Sequence, residues 1–419
     1  MRLNSRATIG GITVISFVVT LLEVPRSDWA TLAAISLACG VTALALMAVS
    51  ALLGGRLKWV EAAFGGLDRV YLVHKWLGVW ALAFASFHFA FRAGMSGWET
   101  ASILTLPSFY TRLVRQLSLL ALVFILLLAL NRRIPYHRWR WWHKLSGPLF
   151  AIVVLHWLSF RSPIELTSPA GVWLALLSTL GIAAALYKLF LYRFFSTHAD
   201  FRVIRAESAG NAMHLELEPL GAPIAFKPGQ FGFVSLKEDG LREPHPFTIA
   251  SNRDGHLHFA IRDLGDFTHR LIQQAREGMH AEVYAPYGRF ERPAAGKREI
   301  WIAGGVGISP FIAWLTHESA RRAQPATLFY FFTPGREFPS VKRIEELAAP
   351  TATEVVAVSG GPSDPAFRQR FEQIVREAGP TQVEIAFCGP KGLLQHVQRS
   401  MADLGIPAEN LHFEYFEFR

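Results

Sequence analysis

Four histidines lie inside two apolar stretches, and their spacing is the first sign of chemistry. The stretch YLVHKWLGVWALAFASFHFAF carries His74 and His88, fourteen residues apart; WWHKLSGPLFAIVVLHWLSF carries His143 and His156, thirteen apart. An ionisable side chain in a membrane span is costly and marks function by default. Neutral imidazole is a common metal ligand and a standard axial ligand of haem iron. Two pairs on two helices make two ligand levels, about 20 Å apart at about 1.5 Å rise per residue. One lone buried histidine is more simply explained by a bond to nearby backbone; two matched pairs favour two haems.

The phase of the second pair stays open. At 3.6 residues per turn, an offset of fourteen returns to within about 40° of the same face, whereas thirteen misses by about 140°. Gly147 and Pro148 lie between His143 and His156, and a proline can kink a span.

Helices must position these side chains. Hydrophobic residues make up 51% of the chain and charged residues only 18%, with a mean hydropathy of +0.25. Six apolar segments, near 8–23, 29–53, 68–91, 112–130, 142–160 and 170–192, approach the roughly 20 residues that cross a bilayer. The net charge of +9 invites a nucleic-acid reading. Its arginines and lysines fall in short loops between apolar runs, however, which is the orientation signal of a membrane protein with both termini in the cytoplasm. No cleavable signal peptide is evident. Two cysteines exclude a disulfide framework. The spans lack interior acids, which argues against an ion pathway.

After Tyr192 the texture changes to short alternating runs such as FRVIRAE, AMHLELEPL and FGFVSLK. Such runs with Gly/Pro turns predict an antiparallel barrel, placed at 196–294. From Arg298, strands alternate with Gly-rich turns and helices (REIWIAGG, ISPFIAWLTHESARR, ATLFYFF, VEIAFCGP). That is the pattern of a parallel α/β nucleotide-binding sheet, placed at 295–419. The expected fold is thus multidomain: an all-α six-helix transmembrane haem bundle over 1–195, then the barrel, then the α/β domain.

Four motifs in the second half carry chemistry. His245-Pro246-Phe247-Thr248, followed by Ser251, sets an aromatic ring and a hydroxyl side by side, able to pack on a flavin and bond its edge; an ordinary turn is the plainer reading. Gly265-Asp266-Phe267-Thr268 opens a helix, where free N–H groups favour phosphate; taken alone, a cap supplied by Asp266 explains it as well. Gly304-Gly305-Val306-Gly307-Ile308-Ser309-Pro310 follows a strand directly, so backbone can approach a pyrophosphate. Cys388-Gly389-Pro390 follows another strand and sets a thiol at the carboxyl edge of the sheet, where ligands bind in such folds. Arg336, after LFYFF, could pair with a 2′-phosphate and favour NADPH; a solvated loop arginine is equally consistent.

The motif order HPFT, GDFT, PYG (Pro286-Tyr287-Gly288), GGVGISP, CGP and an aromatic C-terminus resembles the ferredoxin-NADP reductase superfamily. With the paired histidines in front, residues from about 60 to 419 resemble the NADPH oxidase and ferric reductase family, and look closest to short bacterial NADPH oxidases of the streptococcal type. The resemblance implies that His74 and His143 share an inner haem b, and His88 and His156 an outer one. It implies FAD held by His245, Pro246, Phe247, Thr248, Ser251, Gly265 and Thr268. It implies a nicotinamide nucleotide held by Gly304, Gly305, Gly307, Ser309, Pro310, Cys388, Gly389 and Pro390. Thr248, Cys388 and a C-terminal aromatic, Phe418 or Phe416, would line the hydride-transfer site. Phe267 stands where family members commonly have histidine.

The implied activity passes electrons from NADPH through FAD and two haems to O2, giving superoxide. A ferric-chelate reductase and a haem electron donor to a partner protein are the alternatives. The implied location is the bacterial inner (plasma) membrane, with many passes.

Overall fold

The computed structural model describes residues 4–131, 133–253, 255–293, 296–317 and 325–414. The chain divides into two compact units, the first ending at Phe195 and the second beginning at Ser196.

The first unit is helical: α1 (Ser5–Leu21), α2 (Leu32–Gly54), α3 (Lys58–Phe64), α4 (Leu67–Ala90), α5 (Ser108–Leu130), α6 (Tyr136–His143), α7 (Ser146–Ser159) and α8 (Pro169–Leu186), which continues through a π-helical turn at 187–191 into α9 (Tyr192–Phe195). Side chains cap three of these helices. Asn4, Thr31 and Ser168 accept from the backbone at the starts of α1, α2 and α8, satisfying N–H groups that have no partner within the helix.

Helix α2 is the axis of the bundle. It is apolar all round, with Ala34, Ser36, Leu37, Ala38 and Cys39 buried, then Val41 through Leu46 without a break; a helix of that kind belongs inside. Helices α1, α4 and α8 pack on it, and α5 packs on α7. Outward faces stay apolar: Leu120 and Leu127 on α5 are 61% and 60% exposed, and Phe89 on α4 is 65% exposed. A rim of that composition suits hydrocarbon, not water.

Among the described residues, four helices are long and apolar enough to cross a membrane, beginning at Leu32, Leu67, Ser108 and Pro169. The first expected span forms a shorter apolar helix of 17 residues. The fifth, expected as one helix over 142–160, is two: Lys144 and Leu145 keep right-handed helical dihedrals, but their N–H groups bond three residues back instead of four and interrupt the α-helical ladder.

The second unit opens with β1 (His198–Ala209), β2 (Ala212–Pro219), β3 (Phe231–Leu236), β4 (His245–Thr248), β5 (Ser251–Arg253), β6 (His256–Arg262), α10 (Asp266–Gln274) and β7 (His280–Tyr287). These strands form an antiparallel sheet in the order β4-β3-β7-β1-β2-β6-β5. Its two edge strands are joined by only Ile249 and Ala250, so the sheet must curl back on itself. Those two residues draw the edges together: Ile249 N–H donates to Gln230 O at 3.0 Å and Ala250 N–H to His258 O at 2.8 Å. Inside lie Phe201, Met213, Leu217, Val234, Phe259 and Val283, the inward half of each strand's alternation.

The rest comprises β8 (Arg298–Gly304), a 3₁₀ turn (Gly305–Ile308), α11 (Ser309–Thr316), β9 (Ala326–Phe331), α12 (Val341–Ala348), β10 (Thr353–Val358), α13 (Pro365–Ala378), β11 (Val383–Cys388), α14 (Lys391–Asp403) and β12 (Leu411–Phe413). The sheet order is β10-β9-β8-β11-β12, every pairing parallel. The chain runs from β8 through β9 to β10 on one side, then returns to β11 on the other. The reversal point, where such sheets bind ligands, therefore lies between the carboxyl ends of β8 and β11. The helical bundle, the antiparallel barrel and the parallel α/β sheet are the layout read from the sequence.

Candidate functional site: a histidine ladder and two glycine-lined loops

His74 and His88 turn their Nδ1 atoms to α2. His74 Nδ1 lies 2.9 Å from the Ser50 carbonyl and 3.0 Å from its hydroxyl. His88 Nδ1 lies 2.9 Å from the Ser36 carbonyl. A carbonyl only accepts, so Nδ1 carries the proton in both rings and Nε2 keeps its lone pair. That tautomer is a metal ligand's, and ligating histidines are normally held this way by their other nitrogen.

His143 ends α6. Its ring centroid is 6.0 Å from that of His74, with the planes at 86°. On its other side it stacks on Trp139, at 4.6 Å. Two imidazoles sharing one iron at about 2 Å per bond have ring centroids about 6 Å apart, so the pair fits a shared iron. His156, near the end of α7, packs at 4.5 Å on Phe160 and lies within electrostatic range of His88 and Arg115. Its Nδ1 is buried, with no hydrogen-bond partner among the described residues.

The phase left open by the sequence has a structural answer. Lys144 N–H donates to Trp141 O at 3.2 Å and Leu145 N–H to Trp142 O at 3.0 Å; both are tightened three-residue turns. Pro148 has no N–H to return to Lys144. Because α6 and α7 are not one helix, ideal-helix phase does not carry from His143 to His156.

A cationic group lies beside the inner pair in sequence and space. Arg56 Nε donates to the hydroxyl of Tyr71, three residues before His74, at 2.5 Å. Lys188 sits 3.2 Å over the Tyr192 ring, within electrostatic range of Arg56 and Arg140. Three basic side chains from three elements would suit an anionic group such as a haem carboxylate.

In the barrel, the HPFT segment is strand β4, paired to β3 so that His245 faces Val234 and Thr248 faces Phe231 across the ladder. Alternation puts His245 and Phe247 on one face and Pro246 and Thr248 on the other. His245 stacks on Phe267 with centroids 3.6 Å apart, and Phe247 packs toward Phe259. Ser251 opens β5, opposite His258. The GDFT turn is closed by Thr268, not Asp266. The Thr268 hydroxyl accepts from Leu264 N–H at 2.9 Å and Gly265 N–H at 3.1 Å, and contacts Gly265 O at 3.0 Å. Gly265 is the N-cap and Asp266 the first helical residue, so the cap offered to Asp266 by the sequence is corrected to Thr268.

At the reversal of the α/β sheet the two glycine motifs pack backbone on backbone. A Cβ on Gly304 would meet Pro390 Cδ at 2.6 Å, and one on Gly389 would meet Gly304 Cα at 3.1 Å. A Cβ on Gly307 would overlap the Cys388 carbonyl. Gly305 has φ +57° and sits where a Cβ would touch Arg262 Nη1 at 3.0 Å, so a barrel arginine stands under the turn. Ser309 and Pro310 are buried at the start of α11, the Ser309 hydroxyl donating to Val306 O at 2.9 Å. The Cys388 thiol is buried among Trp301, Ala303 and Ile308. Burial first, and the Glu414 carboxylate second, push it well above a thiol's usual range. Arg336 is exposed in the turn after β9. Phe416 and Phe418 lie outside the described residues.

Two features escaped the sequence reading. Glu414 reaches back to the PYG turn, where its Oε1 accepts from Arg289 N–H at 2.8 Å. The α2 partners of the histidines were also missed, although SLACG (36–40) and SALLG (50–54) repeat Ser-x-x-x-Gly at the same fourteen-residue interval as His74 and His88.

Residues 39–160 match the family described as ferric reductase like transmembrane component, and residues 198–309 match a FAD-binding domain. Among curated proteins, a flavohemoprotein of Pseudomonas aeruginosa is 27% identical over 52% of this chain and 58% of its own length. Methane monooxygenase component C of Methylosinus trichosporium is 31% identical over 36% of this chain and 47% of its own. The chain thus spans less than two thirds of either relative. Among solved structures, a flavohemoglobin of Malassezia yamatoensis with bound FAD and haem aligns over 96% of this chain and 99% of its own, at TM-score 0.53 and 16% identity, a likeness of fold alone. A ferric reductase-like transmembrane component at 39–160 followed by a FAD-binding domain at 198–309 is the domain architecture of the NADPH oxidase and ferric reductase family, and this chain has that architecture.

Proposed function

We propose that this chain is a transmembrane NADPH oxidase that moves electrons from cytosolic NADPH, by way of FAD and two b-type haems, to O2 on the far side, yielding superoxide. The observation that supports it most is the approach of His74 and His143 at 6.0 Å between ring centroids; His88 and His156 lie within electrostatic range of one another. When bound, the cofactors supply hydride donation, the conversion of a two-electron to a one-electron flow, and redox conduction.

The residues supply placement. His74 and His143 hold the inner haem and His88 and His156 the outer one. Arg56, Arg140 and Lys188 neutralise carboxylates at the inner edge. His245, Pro246, Phe247, Thr248, Ser251, Gly265 and Thr268 shape the flavin site of a domain ending at 294. Gly304, Gly305, Gly307, Ser309, Pro310, Cys388, Gly389 and Pro390 form the nucleotide cleft of the next domain, with Arg336 toward a 2′-phosphate. Thr248, Cys388 and Phe418 flank the hydride-transfer position. The chain is a multi-pass protein of the bacterial inner membrane, and the loop arginines support an orientation with both termini cytoplasmic. His88 and His156 would together hold the outer haem, which would supply one-electron reduction of O2 close to these two residues.

Ferric-chelate reduction is the second reading, favoured by the ferric reductase-like character of residues 39–160. The test uses purified protein with NADPH and FAD. Dismutase-sensitive cytochrome c reduction is expected to exceed ferric-chelate reduction; activity indifferent to dismutase would overturn the oxidase reading in favour of the chelate.

A further inference from the structure

Small residues on a buried span ordinarily let two helices approach closely. Gly181 on α8 does this: a Cβ there would meet the backbone of Ala48 at 2.9 Å. Gly40 on α2 is different. A Cβ at Gly40 would meet ring atoms of His88, Nδ1 at 2.7 Å and Cε1 at 2.8 Å. The same ring gives its Nδ1 proton to the carbonyl of Ser36, one turn away on α2. The Ser36 hydroxyl donates in turn to Phe91 O at 2.7 Å, closing the last turn of α4 directly after His88. His88 is therefore gripped from one side by a three-part seat on α2. Ser50 repeats the carbonyl at His74, but Gly54 does not repeat the tight fit: its Cβ would stand 3.7 Å from His74 Cε1, ordinary contact. His156, by contrast, packs on the Phe160 ring, and its Nδ1 has no hydrogen-bond partner among the described residues.

We infer that Gly40 and Ser36 of α2 are positioning residues that fix the Nε2-ligating tautomer and the ring plane of His88, so that the outer haem hangs from a braced ligand on α4. This rests on the proposed haem function. A methyl group at position 40 can be admitted only if the ring moves, and moving the ring moves the ligand.

The experiment compares full-length wild type, Gly40→Ala, Gly54→Ala and His88→Ala in detergent. Haem is counted by pyridine haemochrome, and the two midpoint potentials come from optical redox titration. Wild type is expected to bind two haems per chain. Gly40→Ala is expected to lose one of them or to shift one midpoint only, and Gly54→Ala to match wild type. A Gly40→Ala protein that titrates like wild type, or a Gly54→Ala protein perturbed as strongly, overturns the inference while the haem reading stands. A wild type that binds no haem overturns both.

If Gly40→Ala does not fold, the double variant Gly40→Ala/His88→Ala decides. With no ring to meet, it should fold and hold one haem, like His88→Ala. Continued misfolding would make Gly40 a helix-packing residue and refute the seat.

Discussion

His245 and Phe267 lie ring on ring, 3.6 Å apart at the centroids and 5° from parallel, which ties the HPFT strand to the GDFT helix. Phe267 is 6% exposed and belongs to the barrel core. Its aromatic character is therefore accounted for by packing, since an offset or stacked pair adds about 0.5–1.5 kcal/mol to the burial itself. Replacing Phe267 with alanine should destabilise the second unit by about 3–5 kcal/mol, as for other buried phenylalanines. Denaturant unfolding followed by flavin fluorescence measures this, and a loss below about 1 kcal/mol would contradict an anchoring role.

The two histidines of the proposed outer level are unequal. His88 has a carbonyl at 2.9 Å, and His156 Nδ1 has no hydrogen-bond partner among the described residues. Outer contacts of this kind change metal affinity by about 10–100-fold. His156→Ala should therefore keep most of its outer haem as a high-spin species in electron paramagnetic resonance, whereas His88→Ala should lose it. Equal loss in both variants would mean that the α2 carbonyl adds nothing.

Gly307 faces the Cys388 carbonyl without room for a Cβ. Gly307→Ala should push the two loops apart and slow NADPH-dependent flavin reduction by about 100-fold, the effect of a displacement near 1 Å at a reacting centre. FAD content should not change, because the turn lies after β8 and not on the barrel. Stopped-flow bleaching of the flavin reads the rate, and absorbance of released FAD reads the content.

Cys388 gives a pH dependence of definite sign. Its folded thiol titrates well above the ordinary 9.0, through burial first and Glu414 second. In alkali the unfolded chain thus releases a proton that the folded chain retains. The stability from this group is whole below the ordinary thiol pKa and declines above it, by up to about 1.4 kcal/mol per pH unit. Cys388→Ala should flatten the fall in stability between pH 9 and 10, measured by urea unfolding. An unchanged slope would show that the thiol ionises equally in both states.

Much of this organisation was legible in the sequence because it is periodic. Apolar runs placed α2, α4, α5 and α8, and glycine turns after apolar strands placed the loops of β8 and β11. What was not legible depended on pairing between elements. The break at Lys144-Leu145 follows from a proline whose effect lies four residues upstream. That Thr268 closes its own turn, its hydroxyl accepting from Leu264 and Gly265, is visible only in three dimensions. Ser36 and Ser50 act through backbone carbonyls, which leave no signature in residue type; only their shared interval with His88 and His74 gives them away.

The break between α6 and α7 also acts as a length gauge. The segment from His143 to His156 is one residue shorter than that from His74 to His88, a deficit of about 1.5 Å in a uniform α-helix. Each residue in a tightened turn rises about 2.0 Å instead of about 1.5 Å. Two such residues, Lys144 and Leu145, return about 1 Å of the shortfall. The two histidine intervals are thereby brought to within about 0.5 Å of equal length, and backbone pitch, more than any side chain, sets that match.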